Sequence, residues 1–190
     1  MINSKRALYL SCVLVLSAIP HAAAQSVEVF GGFTAARMKP GKDYSSTTSK
    51  GWNTSVTAYP ASRFGITADF AGYTDTVRPQ AIGGDVDVRQ YSFLAGPQFR
   101  LFRRERFETS FRAMVGAARA YVPTASLPAG YASLDQTGAA ALFGSNFDIN
   151  LSRHVALRFS PGIYLTHFAG ETQKNMRFSV GPVFRFGHAE

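Results

Sequence analysis

Residues 175–186 read N-M-R-F-S-V-G-P-V-F-R-F and alternate without a break. Met176, Phe178, Val180, Pro182, Phe184 and Phe186 form one set, and Arg177, Ser179, Gly181, Val183 and Arg185 form the other. A period of two is the signature of a β-strand, and here one face is apolar while the other is small or cationic. The same alternation recurs upstream. Turn and loop residues divide it into eight expected strands at about 26–37, 51–60, 63–73, 86–102, 106–122, 138–151, 154–166 and 175–186.

The connections are as informative as the strands. Ala61-Ser62, Arg103-Arg104-Glu105 and Ser152-Arg153 are tight, whereas 38–50, 74–85, 123–137 and 167–174 are longer and rich in Gly, Pro, Ser, Thr and Asp. Alternating short and long connections predict up-and-down hairpins with every long loop at one end, which a Greek-key sandwich has no reason to produce. Gly96-Pro97 and Gly181-Pro182 share the pattern G-P-x-F-R and predict bulges or bends, because proline cannot donate to a ladder.

Parity sorts the faces. Val155, Leu157, Phe159, Pro161, Ile163 and Leu165 oppose Ala156, Arg158, Ser160, Gly162, Tyr164 and Thr166; Phe64, Ile66, Ala68 and Phe70 oppose Gly65, Thr67, Asp69 and Ala71. Either the apolar face points outward to lipid, or it points inward to a ligand cavity as in a soluble, periplasmic lipocalin-like barrel. An arginine on a lipid face costs about 2–4 kcal/mol at the midplane. On the lipid reading the charges of the minor faces therefore lie inside: Glu28, Asp69, Glu108 and Asp148 with Arg100, Arg112, Arg158, Arg177 and Arg185. They are expected to pair by charge-assisted hydrogen bonds and fill the narrow lumen of an eight-stranded barrel. Removing Arg112 is then expected to strand a buried acid. The alternative is that some pairs rearrange to form a narrow pore for ions or small solutes.

The amino terminus adds a location. Lys5 and Arg6, an apolar run from Ala7 to Ile19, and Ala22-Ala23-Ala24 have the form of a secretory signal, so residues 1–24 are expected to be removed and 25–190 to form one barrel domain. The only cysteine, Cys12, lies inside that leader, which leaves neither disulfides nor thiolate metal sites expected in the mature domain. Without the leader, 18 basic residues face 12 acidic ones. A basic exported protein has anionic lipid and lipopolysaccharide phosphates as expected partners, and nucleic acid is not among them. Arg37, Lys39, Lys42 and Lys50 around the first long loop form the candidate anion-binding patch. Trp52, Tyr59, Phe64, Tyr73, Tyr91, Phe107, Tyr121 and Phe168 near strand ends read as interfacial girdles.

Ser179-x-Gly181-x-x-Phe184-x-Phe186 resembles the carboxy-terminal assembly signal of bacterial outer-membrane β-barrels, with Gly187 to Glu190 following where the aromatic usually ends the chain. Together with the leader and the loop pattern, the chain resembles the small barrels of the OmpA transmembrane-domain and OmpX type. The resemblance implies an eight-stranded antiparallel transmembrane barrel recognised by the barrel-assembly machinery, monomeric, with both termini in the periplasm and no cofactor. Unlike OmpA, no peptidoglycan-binding domain is expected after the barrel. Some barrels of this size act on lipid A, but a deacylase needs His and Ser two residues apart, and His167 is followed there by Ala169. A non-enzymatic role is therefore the expectation.

Overall fold

The computed structural model describes residues 26–38, 47–77, 86–123, 135–168 and 170–187. The expected leader, and Lys39 and Lys42, lie outside the described residues. Eight strands follow one another: β1 (Ser26–Met38), β2 (Thr47–Tyr59), β3 (Phe64–Val77), β4 (Val86–Arg103), β5 (Phe107–Tyr121), β6 (Asp135–Asn150), β7 (Val155–Phe168) and β8 (Glu171–Gly187). Each pairs antiparallel with its neighbour, and β8 returns to β1, closing the barrel. Closure leaves no edge strand, so the ladder satisfies the backbone without water. Ser26 faces Gly187 across the seam, which brings both ends of the described chain to the rim of the tight turns.

Even and odd positions divide as the alternation requires. Phe33, Phe93, Phe143, Ile163, Phe178 and Phe186 stand exposed on the outside. Arg112, Arg158, Arg177, Glu28 and Glu108 are among the most completely buried side chains. From Val155 to Leu165 the outward positions of β7 carry no charge. Ten steps of about 3.3 Å on a strand tilted by about 40° give an apolar belt roughly 25 Å tall. That matches a hydrocarbon layer. A soluble ligand-binding barrel needs the opposite arrangement, so the lipocalin-like reading is not favoured.

Three expectations need correction. Strands β2, β3, β6, β7 and β8 all run further toward the loop end than the alternation indicated. Beyond the apolar belt both faces meet water, so polar runs such as Thr47-Thr48-Ser49-Lys50 and Glu171-Thr172-Gln173-Lys174 continue the ladder without alternating. Lys50 is therefore a strand residue, and the long connection expected over 167–174 is a hairpin with only residues 169–170 between Phe168 and Glu171. Gly170 turns it at φ +84°, a conformation that costs a residue with a Cβ. The Gly-Pro pairs, second, are not bulges. Register is unchanged across them, and the one shift in the barrel's described ladders falls between Arg100 and Phe102. Pro97 and Pro182 face outward, and the ladder merely skips a step beside each because neither can donate. At Gly181 a Cβ would run into the Gly31 carbonyl, so the glycine serves close strand approach.

The girdle, third, is only partly exterior. Trp52, Phe70, Tyr91 and Tyr121 form a row around β2 to β5, with ring centroids 5.2, 6.3 and 6.2 Å apart in turn. Phe64 and Phe107 stand exposed near the tight-turn rim, and Phe168 is half-buried. Tyr59 and Tyr73 instead point inward, fully buried. They share parity with Asn53 and Asp69, and parity overrides nearness to a strand end.

Candidate functional site

The lumen is built in tiers. Nearest the tight turns, Glu28 of β1 accepts from three arginines: Arg100 Nη2 at 2.8 Å and Arg185 Nε at 3.2 Å on Oε1, and Arg158 Nη2 at 2.7 Å on Oε2. Asp148 of β6 accepts from Arg158 Nε at 2.7 Å and from Arg185 Nη2 at 2.7 Å. Glu108 of β5 accepts from Arg100 Nε at 2.8 Å and lies 3.5 Å from Arg185 and from Arg103. The guanidinium of Arg100 also sits 3.4 Å from the centre of the Tyr59 ring. Three acids and three arginines thus neutralise one another in a buried site whose Arg100 and Arg185 alone stay slightly exposed toward the tight turns. Charge-assisted bonds are strong in such a setting, and the one atom of the tier left short is Glu108 Oε2, buried with no hydrogen-bond partner and 3.5 Å from Arg103 and Arg185.

A belt of neutral polar groups separates this tier from the next. Gln98 Oε1 accepts from Thr67 Oγ1 and Asn146 Nδ2, both at 3.1 Å, while Gln98 Nε2 donates to the Tyr59 hydroxyl. Asn146 also donates to Ser110 Oγ at 3.1 Å and accepts from Ser160 Oγ. The upper tier has one acid. Asp69 of β3 is held by Arg177 through two parallel bonds of 2.9 and 3.0 Å and by Asn53 Nδ2 at 2.9 Å; Arg112 Nη1 stands 3.5 Å away. Nε of Arg112 and Nε of Arg177 are buried without a partner.

Toward the loop end an apolar cluster shares the lumen with buried Ser49, Gln90, Ser92, Thr166 and Asn175. Leu94, Met114, Ala118, Ala140, Leu142 and Tyr164 form one buried cluster. Tyr164 stacks on Tyr73 at 6.3 Å, and Gln90 Nε2 donates to its hydroxyl at 3.2 Å. The nine charged positions singled out from the sequence are all inside the barrel. Tyr164 stands on the inward face that the alternation gave it, while Asn53, Gln98, Asn146 and Tyr59 belong to the same interior and were missed. Each sits on the inward parity of its strand, which was the signal that could have found it.

Outside, exposed charges gather at the two rims. At the loop end Arg37, Lys50, Arg89, Arg119 and Lys174 face outward above the apolar belt, with Arg119 paired to Asp135. Arg37 and Lys50 lie on paired strands, two residues apart in register. His167 is there too, its Nδ1 2.9 Å from Thr172 Oγ1. Ser179 and Gly181 of the terminal motif face the lumen, where Ser179 Oγ donates to Thr34 Oγ1 at 2.9 Å, and Phe184 and Phe186 face outward.

No family model matches the chain, and no curated protein matches it. Its architecture does match solved structures. Neisserial surface protein A superposes with a TM-score of 0.68 at 13% identity, over 84% of this chain and 97% of that one. Ail, the attachment invasion locus protein of Yersinia pestis, gives 0.61 at 17% identity, over 86% and 99%. The outer membrane protein OprG from Pseudomonas aeruginosa gives 0.56 at 14% identity, over 87% and 98%. At such identities the likeness is one of fold. The chain has the fold of the small eight-stranded outer-membrane barrels.

Proposed function

We propose that the protein is an integral outer-membrane barrel with a structural or surface-interaction role, formed by residues 25–190 after loss of the leader. The observation that carries this reading is the inside-out distribution of side chains. An uncharged aromatic exterior encloses a lumen of buried salt bridges. The tight-turn rim, with both termini, faces the periplasm, and the loop end faces outward. Arg37, Lys50, Arg89, Arg119 and Lys174 then stand where lipopolysaccharide phosphates lie, and Lys39 and Lys42 extend the same patch along the sequence. The terminal motif of β8 serves recognition by the assembly machinery, and the barrel works as a monomer.

No step of this role needs catalysis. A pore would have to open both charge tiers and the apolar cluster above them, so the lumen acts as a plug. The test is gel mobility in SDS of the protein refolded in detergent, unheated against boiled, followed by bilayer conductance. The unheated band is expected to run apart from the boiled one, and the reconstituted barrel is expected to stay silent. Solubility in plain buffer with no band shift would overturn the membrane reading, and steady unitary currents would overturn the plug.

A further inference from the structure

The tight-turn rim has a chemistry that the plug does not use. Its turns, residues 60–63, 104–106 and 151–154, carry Arg63, Arg104, Arg106 and Arg153, and Arg103 ends β4 beside them. The one acid among these turns is Glu105. The acids of the tier beneath are already matched by Arg100, Arg158 and Arg185. Of the rim arginines only Arg103 reaches that tier, at 3.5 Å from Glu108. Among the described residues Arg63, Arg104, Arg106 and Arg153 take part in no ion pair, and Arg104 lies 5.3 Å from the centre of the Phe102 ring, so the described part of the rim holds an excess of positive charge.

Between the turns opens a bowl of about 1060 Å³. Arg103, Arg104, Arg153 and His154 stand on its wall beside the single acid Glu105, with Arg100 and Arg185 on its floor. The floor positions belong to the lumen side of the strands, and the exposed Leu151 and Phe186 border the bowl at its edge. The wall is held in place. Asn150 Nδ2 donates to the carbonyls of Arg104 and Glu105 at 3.2 and 2.9 Å, and Arg104 N donates to Phe107 O at 2.7 Å. Ser152 Oγ accepts from the amides of His154 and Val155 at 3.2 and 3.1 Å, and Arg185 N donates to His154 O at 2.8 Å.

We propose that this bowl is a binding site for a small soluble polyanion carrying two or more phosphate or carboxylate groups. Guanidinium groups recognise both through paired hydrogen bonds, and a volume of this order suits a ligand of small-molecule size. More than one charge on the ligand matches arginines supplied by different turns. Neither the outer-membrane reading nor the closed lumen is assumed, since the ligand approaches from the tight-turn side and goes no further.

The experiment is calorimetric titration of the detergent-refolded chain with tripolyphosphate and, separately, with citrate, at fixed ionic strength. Saturable binding of at least one probe is expected, and which one binds assigns the ligand to the phosphate or the carboxylate class. The double variant Arg104→Gln/Arg153→Gln is expected to weaken that binding at least tenfold. Both residues are exposed and outside the buried tier, and the variant's unheated SDS band should match that of the parent, which separates lost binding from lost folding. Absence of saturable binding for both probes overturns the proposal, as does undiminished affinity in the variant. An equal loss in Lys50→Gln/Lys174→Gln would move the site to the opposite rim and also overturn it. Failure here leaves the band shift and conductance results untouched.

Discussion

The two charge tiers of the lumen obey different accounts. In the lower one, three carboxylates meet three guanidinium groups, and Glu28 alone contacts all three. In the upper one, Asp69 serves two arginines unequally: Arg177 takes both of its oxygens, and Arg112 stays at 3.5 Å. Burial does not by itself make an ion pair stabilising, because desolvation is repaid only where the geometry is complete. The lower tier and the Asp69–Arg177 pair therefore hold the barrel shut, while Arg112 fills space beside them.

Substitutions can break that contrast in order of size. Glu28→Gln strips the shared acceptor from three buried cations and is expected to cost about 4 kcal/mol. Urea unfolding followed by fluorescence of Trp52, the only tryptophan, reads it. Arg177→Met, which leaves Asp69 with its weaker partners, is expected to cost about 3 kcal/mol in the same assay. Arg112→Met should change stability by about 1 kcal/mol or less, since Asp69 keeps Arg177 and Asn53 and the thioether replaces much of the lost volume. The sequence alone had Arg112 guarding a buried acid; the geometry transfers that role to Arg177. A loss at Arg112→Met equal to that at Arg177→Met would erase the distinction between them. The smallest quantity is the coupling between Glu28→Gln and Arg177→Met, read from their double mutant. The neutral belt of Gln98 and Asn146 separates the tiers, so the two costs should add to within about 0.5 kcal/mol.

How much of this was legible in the chain depends on what lipid demands. Within the belt, a charge on the wrong face is heavily penalised, so parity alone places Arg112, Arg158 and Arg177 indoors. Parity says nothing about height. Glu28 meets Arg158 across 130 residues only because strand tilt and register set them level, and no local pattern encodes that. Outside the belt the constraint disappears. The ladder there runs on through Thr, Ser, Gln and Lys with no alternation to betray it, so β2 and β8 are longer than their alternating stretches. Tyr59 and Tyr73 show the converse: an aromatic near a strand end suits a girdle by type, but its odd position turns it into the lumen, where Tyr59 stacks under Arg100.

The central claim, that this sheet closes with its apolar face outward, is most directly tested along β8. Single cysteines at successive positions from 176 to 186 can be spin-labelled in bilayers and their collision rates with oxygen compared. An outward apolar face gives a period of two with maxima at Met176, Phe178, Val180, Phe184 and Phe186, where the side chains meet lipid. Maxima at Arg177, Ser179 and Arg185, or a profile with no period, would contradict it.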